Sequence, residues 1–304
     1  MPRRRRNSHN VRNAIIVIVA LMVLISVIVV AHEMSPKQAG PTQKGSPTYS
    51  NFVSTNYTTN AGSDWTFNAL WTDKVNVSGY IFETNNTGAF VNDTWMPFSD
   101  FTSPTSAYAS VTKTLNSNVG DFVDWTFWCN NTSNRWTELP VQSFLVVSKV
   151  LLDTSQGDIT IQLFGNMPIT SGNFLKLTET GVYDGTQFTR IVPSFVIQGG
   201  DATGKGITVP PIQDELPNKY SNLRGYVAMA KTSEANSATS QFFINLNDTN
   251  AASLDSNYSV FGVVTSGMNI ADNISNLVPS TSNASGYDGA PSPAVTIITA
   301  RLVS

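Results

Sequence analysis

One arginine and one glutamine, eight positions apart in a run of alternating character, are the side chains of this 304-residue chain best placed to do chemistry. They lie in Phe188-Thr-Arg-Ile-Val-Pro-Ser-Phe-Val-Ile-Gln-Gly-Gly-Asp201, and Ser240-Gln-Phe-Phe-Ile-Asn245 follows further along. On a strand every second side chain shares a face, so Arg190 and Gln198 line one surface among large apolar neighbours. A surface of that kind can form an active site, because a fixed guanidinium donates hydrogen bonds where charge develops in a transition state. Other chemistries fail on inventory. His9 and His32 are the only histidines and both precede the folded part of the chain, so no histidine triad or zinc site forms there. Cys129 is the only cysteine, which rules out an intrachain disulfide or a cysteine-rich metal site, and it reads as a small buried hydrophobe. Asp201-Ala-Thr-Gly-Lys-Gly206 lacks the Gly-x-x-x-x-Gly-Lys-Ser/Thr spacing of a phosphate loop and reads as a plain loop. No metal and no cofactor is expected.

Together, Phe-Thr-Arg-Ile-Val-Pro, the Gly-Gly-Asp stop and the later Gln-Phe-Phe resemble the cyclophilin family of peptidyl-prolyl cis-trans isomerases, over about residues 147–304. The resemblance implies a closed antiparallel β-barrel that speeds X-Pro rotation in proline-containing polypeptides. That rotation breaks amide resonance, with a barrier of about 18 to 20 kcal/mol. Arg190 then occupies the position of the catalytic arginine, donating to the prolyl nitrogen as it leaves conjugation. Gln198 matches the glutamine that contacts the substrate backbone and orients the arginine. Phe195, Val196, Phe243, Leu254 and Tyr258 match the side chains that receive the proline ring. Ala230 and Lys231 match the segment whose backbone pairs with the residues preceding proline, and Gln241 lies in the same groove. Plain barrel core is the alternative reading of the apolar five, and a surface ion pair that of the arginine.

Three positions depart from the family pattern. Val196 stands where many members have methionine, and Tyr258 where many have histidine; both keep an apolar wall. Ser253 stands where cyclosporin-sensitive members carry tryptophan, which puts drug binding in doubt and leaves isomerisation untouched. A non-catalytic proline-peptide-binding chaperone or scaffold is the rival function. Arg190 favours the enzyme, because a pure binder has no need of it.

The elements that must position these residues read as mainly β. Val150-Leu-Leu and Ile159-Thr-Ile-Gln-Leu-Phe164 flank Ser-Gln-Gly as a hairpin. Pro168 opens a short helix whose stripe includes Phe174 and Leu177 and which stops at Gly181. A second short helix is expected over Met268 to Leu277, and Val295 to Val303 makes a closing strand. Residues 147–304 are therefore read as the isomerase domain.

Residues 47–146 hold all six tryptophans, in short alternating runs broken by Asn, Gly, Asp and Ser. They predict a β-sandwich of immunoglobulin-like shape, with tryptophans that serve as core or as a carbohydrate-binding platform. A third function, a cell-surface adhesin led by this domain, rests on those tryptophans and on sequons alone.

Ala14 to Ala31 is an uncharged apolar block of eighteen residues, long enough to span a bilayer core of about 30 Å. Arg3 to Arg6 and Arg12 lie on its N-terminal side only, so residues 1–13 are expected in the cytoplasm, 14–31 as a transmembrane signal anchor, and the rest outside, beyond a flexible stalk at 32–46. A cleavable signal peptide is the alternative. Asn-x-Ser/Thr sequons at 56, 76, 85, 92, 130, 131, 247, 257, 273 and 283 suit an exported surface, and the tryptophan platform suits a glycan or cell-envelope partner for the sandwich. Without the five arginines, 13 basic residues stand against 21 acidic ones, a net of −8, which argues against nucleic acid.

Overall fold

The computed structural model describes residues 45–52, 59–99, 101–279 and 288–303. The basic tail, the anchor and nearly all of the stalk lie outside them. Among the described residues no helix is long and apolar enough to cross a membrane.

Residues 48–145 form two antiparallel sheets. One has strand order β1 (Thr48–Ser50), β2 (Asp64–Thr72), β7 (Ser106–Thr114), β6 (Phe101–Ser103). The other runs β10 (Gln142–Leu145), β8 (Phe122–Asn131), β3 (Val77–Thr84), β4 (Val91–Asn92), with β5 (Met96–Pro97) on β3 and β9 (Trp136–Glu138) on β8. Alternation explains their shared core: β2 buries Trp65, Phe67, Ala69 and Trp71, while β8 buries Val123, Trp125, Phe127 and Cys129. Phe67 sits 4.7 Å from Phe82 and 5.2 Å from Trp125 between ring centroids. Only Trp65, Trp71 and Trp125 belong to this core. Trp128 points the other way, three residues from Trp125, and Trp136 faces outward beside Asn130, its register partner. Trp95 joins them at 44% exposure, its ring laid over the backbone of Gly79.

The second half is built on an eight-stranded antiparallel sheet in the order β13 (Phe188–Val192), β14 (Val196–Gly199), β16 (Phe242–Asn245), β15 (Tyr226–Met229), β17 (Val260–Ser266), β12 (Gly157–Leu163), β11 (Lys149–Thr154), β20 (Ile297–Val303), with β18 (Val278–Pro279) and β19 (Pro291–Ser292) paired apart from it. β11 and β12 are the expected hairpin. The closed barrel is corrected: no ladder joins the edge strands β13 and β20, so the sheet is a partial barrel. Its edges meet through a short seam, where Gly185 N donates to Ile297 O at 2.7 Å, Phe188 N to Val295 O at 3.0 Å, and Gln187 bridges Thr296.

The inner face packs Phe174, Tyr183, Phe188, Phe242 and Phe261, with Phe174 and Phe242 edge to face at 5.3 Å. Phe174 arrives on α1 (Pro168–Glu179), which Pro168 opens as expected. Its first turn has no cap of its own. Glu215 supplies one from far along the chain, accepting from Ile169 N at 3.2 Å and Thr170 N at 2.7 Å, where a carboxylate also complements the helix dipole. A single-turn helix, α2 (Ala251–Leu254), adds to the two expected, and α3 (Met268–Ser275) is the second of those.

The two halves touch. Leu145 N donates to Gly165 O at 2.8 Å, Asn60 and Gln162 exchange amide hydrogen bonds at 3.3 and 3.1 Å, and Asn60 forms a parallel bridge with Val147. Gly165 is required there, since a Cβ would lie 2.2 Å from Leu145 O.

Candidate functional site

Strand pairing builds the site. Arg190 on β13 is the register partner of Gln198 on β14, Gln198 of Phe243 on β16, and Phe243 of Ala228 on β15. Directly opposed residues share a face, so these four side chains form one row across four strands, on the side away from the aromatic core. Phe242, the neighbour of Phe243, points into that core.

Short segments at the strand ends wall the row. Phe195 follows a turn in which Ser194 takes a positive φ of 61° and Phe195 N donates to Val192 O. Its ring lies 5.9 Å from the Arg190 guanidinium carbon, within cation–π range. From beyond α2, Tyr258 stands edge-on to Phe243 at 5.3 Å, its N–H bonded to Leu254 O. Leu254 and Phe243 are both nearly buried, and Val196, two residues from Gln198 on the same face, is 2% exposed within the core cluster. The structure thus sets Arg190, Val196, Gln198 and Phe243 on one face of the sheet, with Phe195 against Arg190, Gln241 against Gln198, and Tyr258, bonded to Leu254, against Phe243.

The polar contacts differ from those the resemblance implied. Gln198 does not orient the arginine: its Nε2 donates to Gln241 Oε1 at 2.8 Å. Arg190 is held by Asp288, through Nε to Oδ1 at 2.7 Å and Nη2 to Oδ2 at 2.8 Å. A bidentate carboxylate is a stronger guanidinium partner than a neutral amide, which leaves Gln198 to its neighbour. The pairing raises the Arg190 pKa, chiefly through the hydrogen bond and against the effect of burial, and it lowers that of Asp288 for the same reason. The guanidinium is therefore charged throughout the working pH range.

Ala230 continues β15, donating its N–H to Gln241 O at 2.9 Å. Lys231 turns its side chain to Asp214 at 2.8 Å, in an ion pair only 9% and 12% exposed. Ser253 is exposed and donates to Asn250 O within its own turn.

Asp288 is the functional candidate that sequence reasoning missed. It stands 98 residues from Arg190 in Gly286-Tyr-Asp-Gly289, which reads as a turn. A weak signal existed: Asp288 is the only charged residue between Asp272 and Arg301.

Arranged this way, the face offers a fixed cation with hydrogen-bond donors to spare beside apolar rings and paired amides. It can bind an extended chain and stabilise lone-pair density on a non-hydrogen-bonded nitrogen.

Comparison with known proteins finds matches in the second half of the chain. The family model "Cyclophilin type peptidyl-prolyl cis-trans isomerase/CLD" matches residues 149–302. Peptidyl-prolyl cis-trans isomerase A of Dickeya dadantii is 40% identical over 161 residues, covering 51% of this chain and 84% of that protein. A peptidyl-prolyl cis-trans isomerase of Streptomyces antibioticus is 39% identical over 167 residues, covering 52% and 99%. Among solved structures, a cyclophilin type peptidyl-prolyl cis-trans isomerase of Cryptosporidium parvum, determined in the presence of the dipeptide Ala-Pro, is 29% identical with a TM-score of 0.45, covering 51% of this chain and 99% of its own.

Proposed function

Since this chain belongs to the cyclophilin-type peptidyl-prolyl cis-trans isomerase family and is an enzyme of that class, we propose that it isomerises X-Pro bonds in exported or cell-surface polypeptides, with Arg190 as its transition-state donor. The observation that carries the assignment is the cross-strand row Arg190, Gln198, Phe243, walled by Phe195 and Tyr258. The proline ring lies against Phe243, with Phe195, Val196, Leu254 and Tyr258 around it. Gln198, Gln241 and the backbone at Ala230 and Lys231 hold the flanking chain. As the prolyl nitrogen pyramidalises, its lone pair leaves the amide and accepts a hydrogen bond from the guanidinium, an interaction absent in the planar ground state and therefore catalytic. Purified protein added to a cis-enriched X-Pro peptide should raise the isomerisation rate in proportion to enzyme. A rate equal to the uncatalysed one would favour the scaffold reading.

The setting is read from the N-terminal half, which the family match does not reach. Residues 14–31 anchor the chain with 1–13 inside, and 47–146 form an immunoglobulin-like sandwich held outside by the stalk. The charge asymmetry and the sequons support that topology. Protease added to intact cells should digest the domains. An ectodomain that stays protected, or a mature N-terminus near His32, would overturn the anchored version.

A glycan or cell-envelope partner for the sandwich is supported by the outer face of the β3, β8, β9 sheet. There Trp95, Trp128 and Trp136 have their indole N–H groups tied to Asn130, Glu83 and Asn134. Fixed indoles with accessible ring faces suit stacking against sugar C–H surfaces.

Ser253 bears on inhibition. It supplies neither the ring surface nor the N–H donor of the tryptophan in cyclosporin-sensitive relatives, so cyclosporin should bind at least about tenfold more weakly here, the equivalent of one lost buried hydrogen bond. Ser253→Trp should recover part of the affinity. Nanomolar binding to the unmodified protein in titration calorimetry would instead remove Leu254 and Tyr258 from the site.

A further inference from the structure

The arginine of the groove is clamped from a segment outside the strands that build the row. Residues 288–297 run antiparallel to 185–191: Gln187 bridges Thr296, Phe188 N donates to Val295 O at 3.0 Å, and Ile191 N donates to Gly289 O at 2.8 Å. The Ile191–Gly289 bridge sets Asp288 diagonally across from Arg190, on the face opposite the buried Ile191. Its carboxylate takes the Nε and Nη2 edge. A guanidinium has five N–H donors, so three remain for the groove, and the planar fork fixes where they point. Phe195 lies across the guanidinium and limits tilting.

We propose that Asp288 is a positioning residue for the isomerase reaction, holding Arg190 so that its free edge meets the prolyl nitrogen. The inference rests on the reading of Arg190 as the transition-state donor. Both side chains of the pair are about a third exposed, at 37% and 32%. Exposed ion pairs contribute little to folding, so the clamp matters for geometry and its removal leaves the fold intact. A donor useful only in the transition state loses its effect when it wanders, so the loss falls on turnover and leaves substrate affinity alone.

The test measures kcat and KM for an X-Pro peptide by exchange NMR in the unmodified protein, Asp288→Ala, Asp288→Asn, Arg190→Ala and the Asp288→Ala/Arg190→Ala double variant, with folding checked by denaturant midpoint. Asp288→Ala should lower kcat about tenfold at unchanged KM. Asp288→Asn, which keeps one acceptor, should lie between. In the Arg190→Ala background, Asp288→Ala should change nothing further, because Asp288 acts only through the arginine. Unchanged kcat in both single Asp288 variants would overturn the proposal, as would a rise, which would make the pair an inhibitory latch. An equal additional loss in the double variant would mean a structural role instead. Failure of the Arg190 reading looks different: Arg190→Ala would itself retain full activity.

Discussion

Arg190→Ala should leave the partial barrel folded and slow isomerisation by about a hundredfold to a thousandfold, the range for losing one preorganised transition-state donor. The fold tolerates the change because the side chain is 37% exposed and its ion partner, Asp288, is 32% exposed. The loss belongs in kcat and equally in kcat/KM. No hydrogen bond to the prolyl nitrogen exists while its lone pair is conjugated, so the ground-state complex forgoes little. Arg190→Lys should recover only a small part, since one ammonium cannot occupy both Asp288 oxygens and still present a directed donor to the groove. Exchange NMR on a proline peptide at several substrate concentrations separates the two parameters. A folded Arg190→Ala protein with near-normal kcat would return the assignment to a binding scaffold.

How much of this was readable beforehand depends on distance along the chain. The Arg190–Gln198 row follows from alternation and a short connection, and the Pro168 helix start from one residue's fixed φ. The sorting of tryptophans was also present in the spacing, because Trp125 and Trp128, three apart on one strand, cannot share a face, whereas Trp65 and Trp71, six apart, must.

What the sequence hid are long-range polar contacts and elements too short for a period. Glu215 caps α1 from 45 residues away, and nothing near Pro168 announces it. The four residues Ala251–Leu254 complete one helical turn and show no repeating stripe. Asp288 reaches Arg190 only because the chain returns alongside β13, and a turn-like Gly-Tyr-Asp-Gly gives no hint of that register. Family resemblance misled at the same point. It assigned the arginine's orientation to Gln198, and a carboxylate elsewhere in the chain took that role. The closed barrel failed for a related reason, since the edges meet in irregular segments, Gly185 to Phe188 against Val295 to Ile297, rather than along two full strands.

Phe243→Ala should damage folding and binding together, which distinguishes it from the arginine variant. Phe243 is 4% exposed, stands edge-on to Tyr258 and lies in register between Gln198 and Ala228. Truncating a buried phenylalanine costs about 3 to 5 kcal/mol through lost transfer energy and the cavity left behind. The cavity here opens toward the groove, where solvent can enter, so the lower end, about 3 kcal/mol, is expected. The same ring is the proposed floor for the substrate proline, and its loss removes contact area in the Michaelis complex as well as in the transition state. KM should therefore rise at least severalfold, with a smaller effect on kcat than Arg190→Ala produces. Phe243→Leu separates the two consequences. It refills most of the volume and should restore much of the stability, yet it lacks the edge that meets Tyr258 and should leave KM elevated. Denaturant midpoints and Michaelis constants for both variants decide the matter. Stability loss in Phe243→Ala with an unchanged KM would make the ring plain barrel core and move the proline pocket away from β16.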